Sequence, residues 1–228
     1  MALSTINRRT RDRWLYRVVW AGCFLPIPLM VWWFYNDQLG ANPAKEGLHY
    51  LGEWALRFLV IGLAITPLRK LFGWGWLLRY RRTIGLFALA YVSLHLIAYI
   101  WLDQGFDWGE MWRDIVKRPY ITFGMIAFVL LLPLAITSTN AMIRRLGARR
   151  WRQLHRLAYV IAILGVLHYD LLVKKDASWP HFYAILIGAL LLYRLVDAIL
   201  TRIKRARAPV SPRRVTKPRP EDGARQPV

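Results

Sequence analysis

Residues 81–99 read RRTIGLFALAYVSLHLIAY. Two arginines open the stretch, and no charged side chain follows from Thr83 to Leu102. About 20 apolar residues in a helix cross the hydrocarbon core of a bilayer. The segment therefore reads as a transmembrane helix with a charged start and one buried histidine, His95. Five more runs of this kind flank it: Trp14–Tyr35, Tyr50–Leu68, Tyr120–Ser138, Gln153–Val173 and Pro180–Thr201. The expected fold is an all-α membrane protein, a six-helix transmembrane bundle over 14–201. A basic segment, 1–13, precedes it, and a basic tail, 202–228, follows.

Composition agrees. The chain has 228 residues, 56% of them apolar, and still carries a net charge of +20. Such a chain hides its apolar surface in lipid and keeps charge in loops and tails. Nucleic-acid binding is not expected, because the charges lie between apolar runs and not along one face. The lone Cys23 sits in an apolar run, so it reads as a packing residue without disulfide or metal spacing. The first run lacks a small-residue cleavage site and reads as a retained helix. The tail from Arg205 onward, rich in Pro and Arg, reads as disordered.

Of the 33 basic residues, 23 fall on one side of the six spans and 6 on the other. The rich side holds the N-terminus, Arg69–Arg82, Arg144–Arg152 and the tail. The positive-inside rule puts both termini in the cytoplasm. Trp74 and Trp76 then mark the inner interface, and Trp108, Trp112 and Trp179 the outer one. Glu53 and Arg57, four apart in the second span, are placed to pair along one helix face.

Ionisable residues inside spans are the functional candidates. His49 and His181 lie at span ends and read as interfacial imidazoles. His95 in span three and His168 in span five lie at similar depth on helices of the same direction. From position alone two readings stand: hydrogen-bonded core histidines, or the two axial ligands of one heme iron. His155 lies about 20 Å before His168 along a straight helix, which suits a second, inner heme. An unbroken helix would turn the two rings about 140° apart, so a distorted turn, near Gly165, or different tilts of the two hemes are expected to absorb the difference. Arg81 and Arg82 stand where an inner partner histidine would be needed. Arginine is a poor metal ligand but pairs well with carboxylates, so Arg81, Arg82 and Arg156 are candidate propionate partners.

At these residues the chain resembles a known family. RRTIGLFALAYVSLHLIAY, LLLPLAITST (130–139) and WRQLHRLAYVIAILGVLHYD (151–170) together are similar to the heme-binding subunits of the bacterial periplasmic methionine sulfoxide reductase system. These are the MsrQ family of the ferric-reductase-like transmembrane superfamily. The resemblance covers about residues 10–200. It implies an inner-membrane electron-transfer subunit without substrate chemistry of its own. It implies heme b, one or two, with His95 and His168 on the outer iron and His155 on the inner, and FMN as a further cofactor. Electrons would come from the quinone pool or a cytosolic flavin reductase. They would go through heme to a periplasmic molybdenum-containing partner that repairs oxidised proteins. The superfamily pattern has two histidines on each of two helices, and here the fourth is missing. The loop Arg69–Arg82, with Trp74, Trp76 and Tyr80, reads as an ordinary basic, aromatic-belt loop or as a flavin contact, and Asp103–Pro119 as a docking loop or a short interfacial helix. A ferric or quinone reductase with another acceptor, or a non-redox transporter or scaffold, are the alternatives.

Overall fold

The computed structural model describes residues 2–173 and 177–207, with side chains from residue 10 onward. The tail from 208 and the basic residues at 174 and 175 lie outside the described residues. In chain order the helices are α1 (Ala2–Phe24), α2 (Pro26–Tyr35), α3 (Pro43–Phe72), α4 (Arg81–Ala98), α5 (Trp108–Lys117), α6 (Pro119–Ile136), α7 (Asn140–Leu154), α8 (Leu157–Leu172) and α9 (Ser178–Arg207). No strand occurs among the described residues. The chain is a multi-pass membrane protein, as the apolar runs imply.

Five helical stretches are long and apolar enough to span: Thr10–Tyr35, Pro43–Phe72, Arg81–Asp103, Pro119–Ile136 and Ser178–Arg207. α7 and α8, bent at 43° to each other, pass the same test only when taken together, which brings the number to six if the pair is one span. The fifth apolar run is therefore not the continuous helix expected over Gln153–Val173. The break falls at His155 and Arg156, not near Gly165, which lies inside α8. The 140° offset expected between His155 and His168 does not apply, since His155 lies in the break and His168 in α8.

Local sequence explains the helix ends. Asn42 accepts a hydrogen bond from the Lys45 amide at 3.1 Å and Pro43 opens α3, while Gly73 closes it in the left-handed region at φ 72°. Asp107 caps α5 through the Glu110 amide, and Pro119 opens α6. Ala98 does not end the third crossing: a π-helical turn over Tyr99–Asp103 carries it on. At the other end α9 runs on to Arg207, past the expected boundary at Thr201.

Packing places α3 at the centre. One face meets α4 through Leu51, Ala55, Phe58, Ala88 and Tyr91, the last two fully buried. Its other face meets α8 and the first part of α9 through Leu56, Val60, Ala162, Val166 and Ile187. Leu131 and Leu134 of α6 close on Ile161 of α8. Val129, Ile163 and Ile185 remain exposed. In lipid that exposure costs little, because hydrocarbon tails are as apolar as the side chains. The residues from Leu195 onward form a separate compact unit, of which the end of α9 is described.

Candidate functional site

A cavity of about 450 Å³ lies among α3, α4, α6 and α8. That is within the roughly 300–1,000 Å³ of cofactor and ligand pockets. Leu56, Leu59, Val92, Phe128, Leu131 and Ile161 form its apolar body. Lys45, His49, Asp103, Arg118 and Tyr120 line it at the ends of the helices, where polar residues are expected.

His95 and His168 both line this cavity. Their ring centroids are 6.0 Å apart and the rings stand at 88°. Nδ1 of His95 lies 2.9 Å from the Leu48 carbonyl oxygen, and Nδ1 of His168 lies 2.6 Å from that of Tyr120. A carbonyl oxygen only accepts, so Nδ1 is the protonated nitrogen in each ring. Nε2 is then left with its lone pair, the state in which imidazole binds a metal. Two imidazoles on opposite sides of one metal have centroids about 6 Å apart, from bonds of about 2.0–2.1 Å plus the ring radius. The observed spacing matches.

The described residues contain no group of three or more His, Cys, Asp or Glu placed to chelate a bare ion. With two imidazoles and an apolar cavity, the site suits a metal that arrives with its other donors in a flat organic ring.

Glu53 and Tyr169 also line the cavity. Glu53 pairs with Arg57 at 2.6 Å, as the spacing implies, and its other oxygen accepts from Tyr169 at 2.8 Å. Arg57 also donates to Tyr183 at 3.0 Å and covers the Trp54 ring. The pair is thus the middle of a four-residue network joining α3, α8 and α9.

His155, Arg81, Arg82 and Arg156 do not line this cavity. His155 stacks on Trp151 with centroids 3.9 Å apart. Its Nδ1 faces the Trp151 carbonyl at 3.1 Å and its Nε2 faces Ser138 Oγ at 3.5 Å. Arg82 donates to Asn140 at 2.9 Å, Arg81 is half-buried, and Arg156 is exposed. His49, read as interfacial, is half-buried on the cavity wall. His181 contacts Asp170 at 3.3 Å.

Sequence reasoning missed the groups that hold the histidines. A methyl carbon built on Gly52 would lie 3.1 Å from His95 Nδ1, and one on Gly124 only 2.8 Å from His168 Nδ1. The carbonyls of Leu48 and Tyr120 have no signature of their own in a sequence.

Four membrane helices around a cavity with two inward histidines define a class: membrane proteins of the ferric-reductase-like type. Residues 51–166 match the family described as the ferric reductase like transmembrane component. The chain is 53% identical over 204 residues to the protein-methionine-sulfoxide reductase heme-binding subunit MsrQ of Rhodospirillum rubrum, covering 88% of this chain and 96% of that one. It is 48% identical over 196 residues to the MsrQ of Caulobacter vibrioides, covering 86% and 93%. With these relatives, the chain belongs to the MsrQ family.

Proposed function

We propose that this protein is a membrane electron carrier that holds b-type heme between His95 and His168 and serves a methionine sulfoxide reductase. The observation that carries the reading is the pair of imidazoles 6.0 Å apart, each with Nδ1 tied to a carbonyl. The names of the MsrQ relatives support the heme and the reductase. Bound heme supplies a reversible one-electron couple, the chemistry that no side chain here provides. The chain's own residues do the rest. His95 and His168 present Nε2 from opposite walls. The apolar body excludes water and lowers the local dielectric.

In this proposal the protein sits in the bacterial inner membrane with both termini in the cytoplasm, on the strength of the charge bias. The donor is the quinone pool or a cytosolic flavin reductase, and FMN is a further cofactor. The acceptor is a periplasmic, molybdenum-containing reductase. His155 is the proposed ligand of a second, inner heme, with Arg81, Arg82 and Arg156 as its propionate partners. Its Nδ1 contact to a carbonyl is like that of the other pair, and its Nε2 would have to leave Ser138 Oγ to take a metal. A His155→Ala protein that keeps half of its heme supports that second site, and one with unchanged heme content contradicts it.

Acceptor identity is tested by reoxidation. The purified protein in nanodiscs is reduced chemically, then mixed with the periplasmic reductase and methionine sulfoxide. The proposal expects fast reoxidation that requires both. Reoxidation by a ferric chelate alone, with none by the reductase, would instead favour a ferric reductase.

A further inference from the structure

Both histidines are held by the same device. In an α-helix the carbonyl of residue i accepts from the amide of residue i+4 and keeps a second lone pair. Gly52 stands four residues after Leu48 in α3, and Gly124 four residues after Tyr120 in α6. Leu48 and Tyr120 are the residues whose carbonyls accept from His95 and His168. The imidazole thus reaches the free lone pair of a helical carbonyl across the surface of the residue at i+4. A Cβ there would stand 3.1 Å from His95 Nδ1 and Cε1, or 2.8 Å from His168 Nδ1. Carbon atoms below 3.0 Å of a ring nitrogen force a displacement, and the ring is the part with freedom to move.

We propose that Gly52 and Gly124 are positioning residues: each uncovers a helical carbonyl that orients one axial imidazole and sets its strength as a ligand. The proposal rests on the heme reading above. An Nδ1–H donated to a carbonyl fixes the tautomer and makes Nε2 more basic. A more basic ligand stabilises the ferric over the ferrous state, so the device holds the midpoint potential down. Glycine is otherwise a poor choice at these places, since it is a weaker helix former than alanine in a helix interior. Ordinary helix stability therefore predicts that alanine helps, whereas the positioning role predicts that it harms.

Gly62 supplies the control. It lies in α3 as well, and a Cβ there would meet only Ile84, at 3.9 Å. The experiment compares full-length wild type, Gly52→Ala, Gly124→Ala and Gly62→Ala in detergent. It reads heme per polypeptide, spin state and midpoint potential, with helix content as the check on folding. Heme affinity should fall roughly ten- to a hundredfold in Gly124→Ala, the range seen on losing an outer-shell partner. Gly52→Ala should lose less. The heme that remains should show a raised potential and a high-spin fraction, and Gly62→Ala should match wild type. Wild-type heme content, spin state and potential in both Gly52→Ala and Gly124→Ala would overturn the proposal alone. A colourless wild type would overturn the heme reading and this proposal together. Should Gly124→Ala fail to accumulate, proton hyperfine spectroscopy of the wild type decides. Slow exchange of both Nδ1 protons supports the device, and fast exchange rejects it.

Discussion

Arg57 shows how a charge is kept inside the bundle. Its guanidinium touches Glu53, Tyr183 and the Trp54 ring at once. Removing it in Arg57→Met leaves the Glu53 carboxylate with only the Tyr169 hydroxyl. Breaking a fully buried pair costs about 3–5 kcal/mol, and this one is roughly 30% exposed on each side. The expected loss is nearer 1–3 kcal/mol, read as a lowered unfolding midpoint in detergent, with Glu53→Gln milder. A wild-type midpoint in Arg57→Met would contradict this. The pair was legible, because a four-residue spacing needs only a helix. So was the depth match of His95 and His168, which counts residues along two spans. The tyrosines of the network were not, because Tyr169 and Tyr183 reach Glu53 and Arg57 from α8 and α9. Nor were Gly52 and Gly124, whose role is to leave room.

α5 closes one end of the cavity helices through Asp114. That carboxylate is only 3% exposed and accepts from Tyr99 at 3.2 Å and Gln104 at 3.1 Å, while pairing with Arg118 at 3.0 Å. It ties the π-helical end of the third crossing to the start of α6. Asp114→Ala leaves Arg118 and Tyr99 without it and should cost about 2–3 kcal/mol, read by thermal unfolding. The opposite face of α5 carries Trp108, Trp112 and Val116, all about two-thirds exposed. A helix with this exposed apolar face suits the headgroup boundary. A spin label at Trp108, in a Cys23→Ser background, should therefore report shallow depth, and full water accessibility would refute that placement. The stretch 103–119 was legible as a loop with tryptophans between two spans, whereas the Asp107 cap that starts its helix is seen in the structure. The bend between α7 and α8 was not legible. Residues 151–156, WRQLHR, contain no Gly or Pro. At the break Trp151 Nε1 donates to the Thr137 carbonyl at 2.9 Å, fourteen residues away, and its ring stacks locally on His155.

Across the cavity helices, one construction is used twice. α3 supplies a carbonyl and a glycine to the histidine of α4, and α6 supplies the same to the histidine of α8. The cavity lies where the two helix pairs face each other, so its ligand is held from both sides. A ligand that binds only the folded protein stabilises it in proportion to RT ln(1 + [L]/Kd). Protein made in heme-depleted cells should therefore unfold at a lower temperature and recover when hemin is added. The number of spans and the helical class were legible from apolar runs, since lipid forces each crossing into a helix. Which helices pair was not, because lipid-exposed and packed faces are equally apolar in such a chain. The central claim is that one iron sits between His95 and His168. Reduced-minus-oxidised spectra and heme-to-polypeptide ratios of wild type, His95→Ala and His168→Ala test it most directly. The account predicts a low-spin bis-imidazole heme in wild type, lost in each variant. Full wild-type heme in both variants would contradict it.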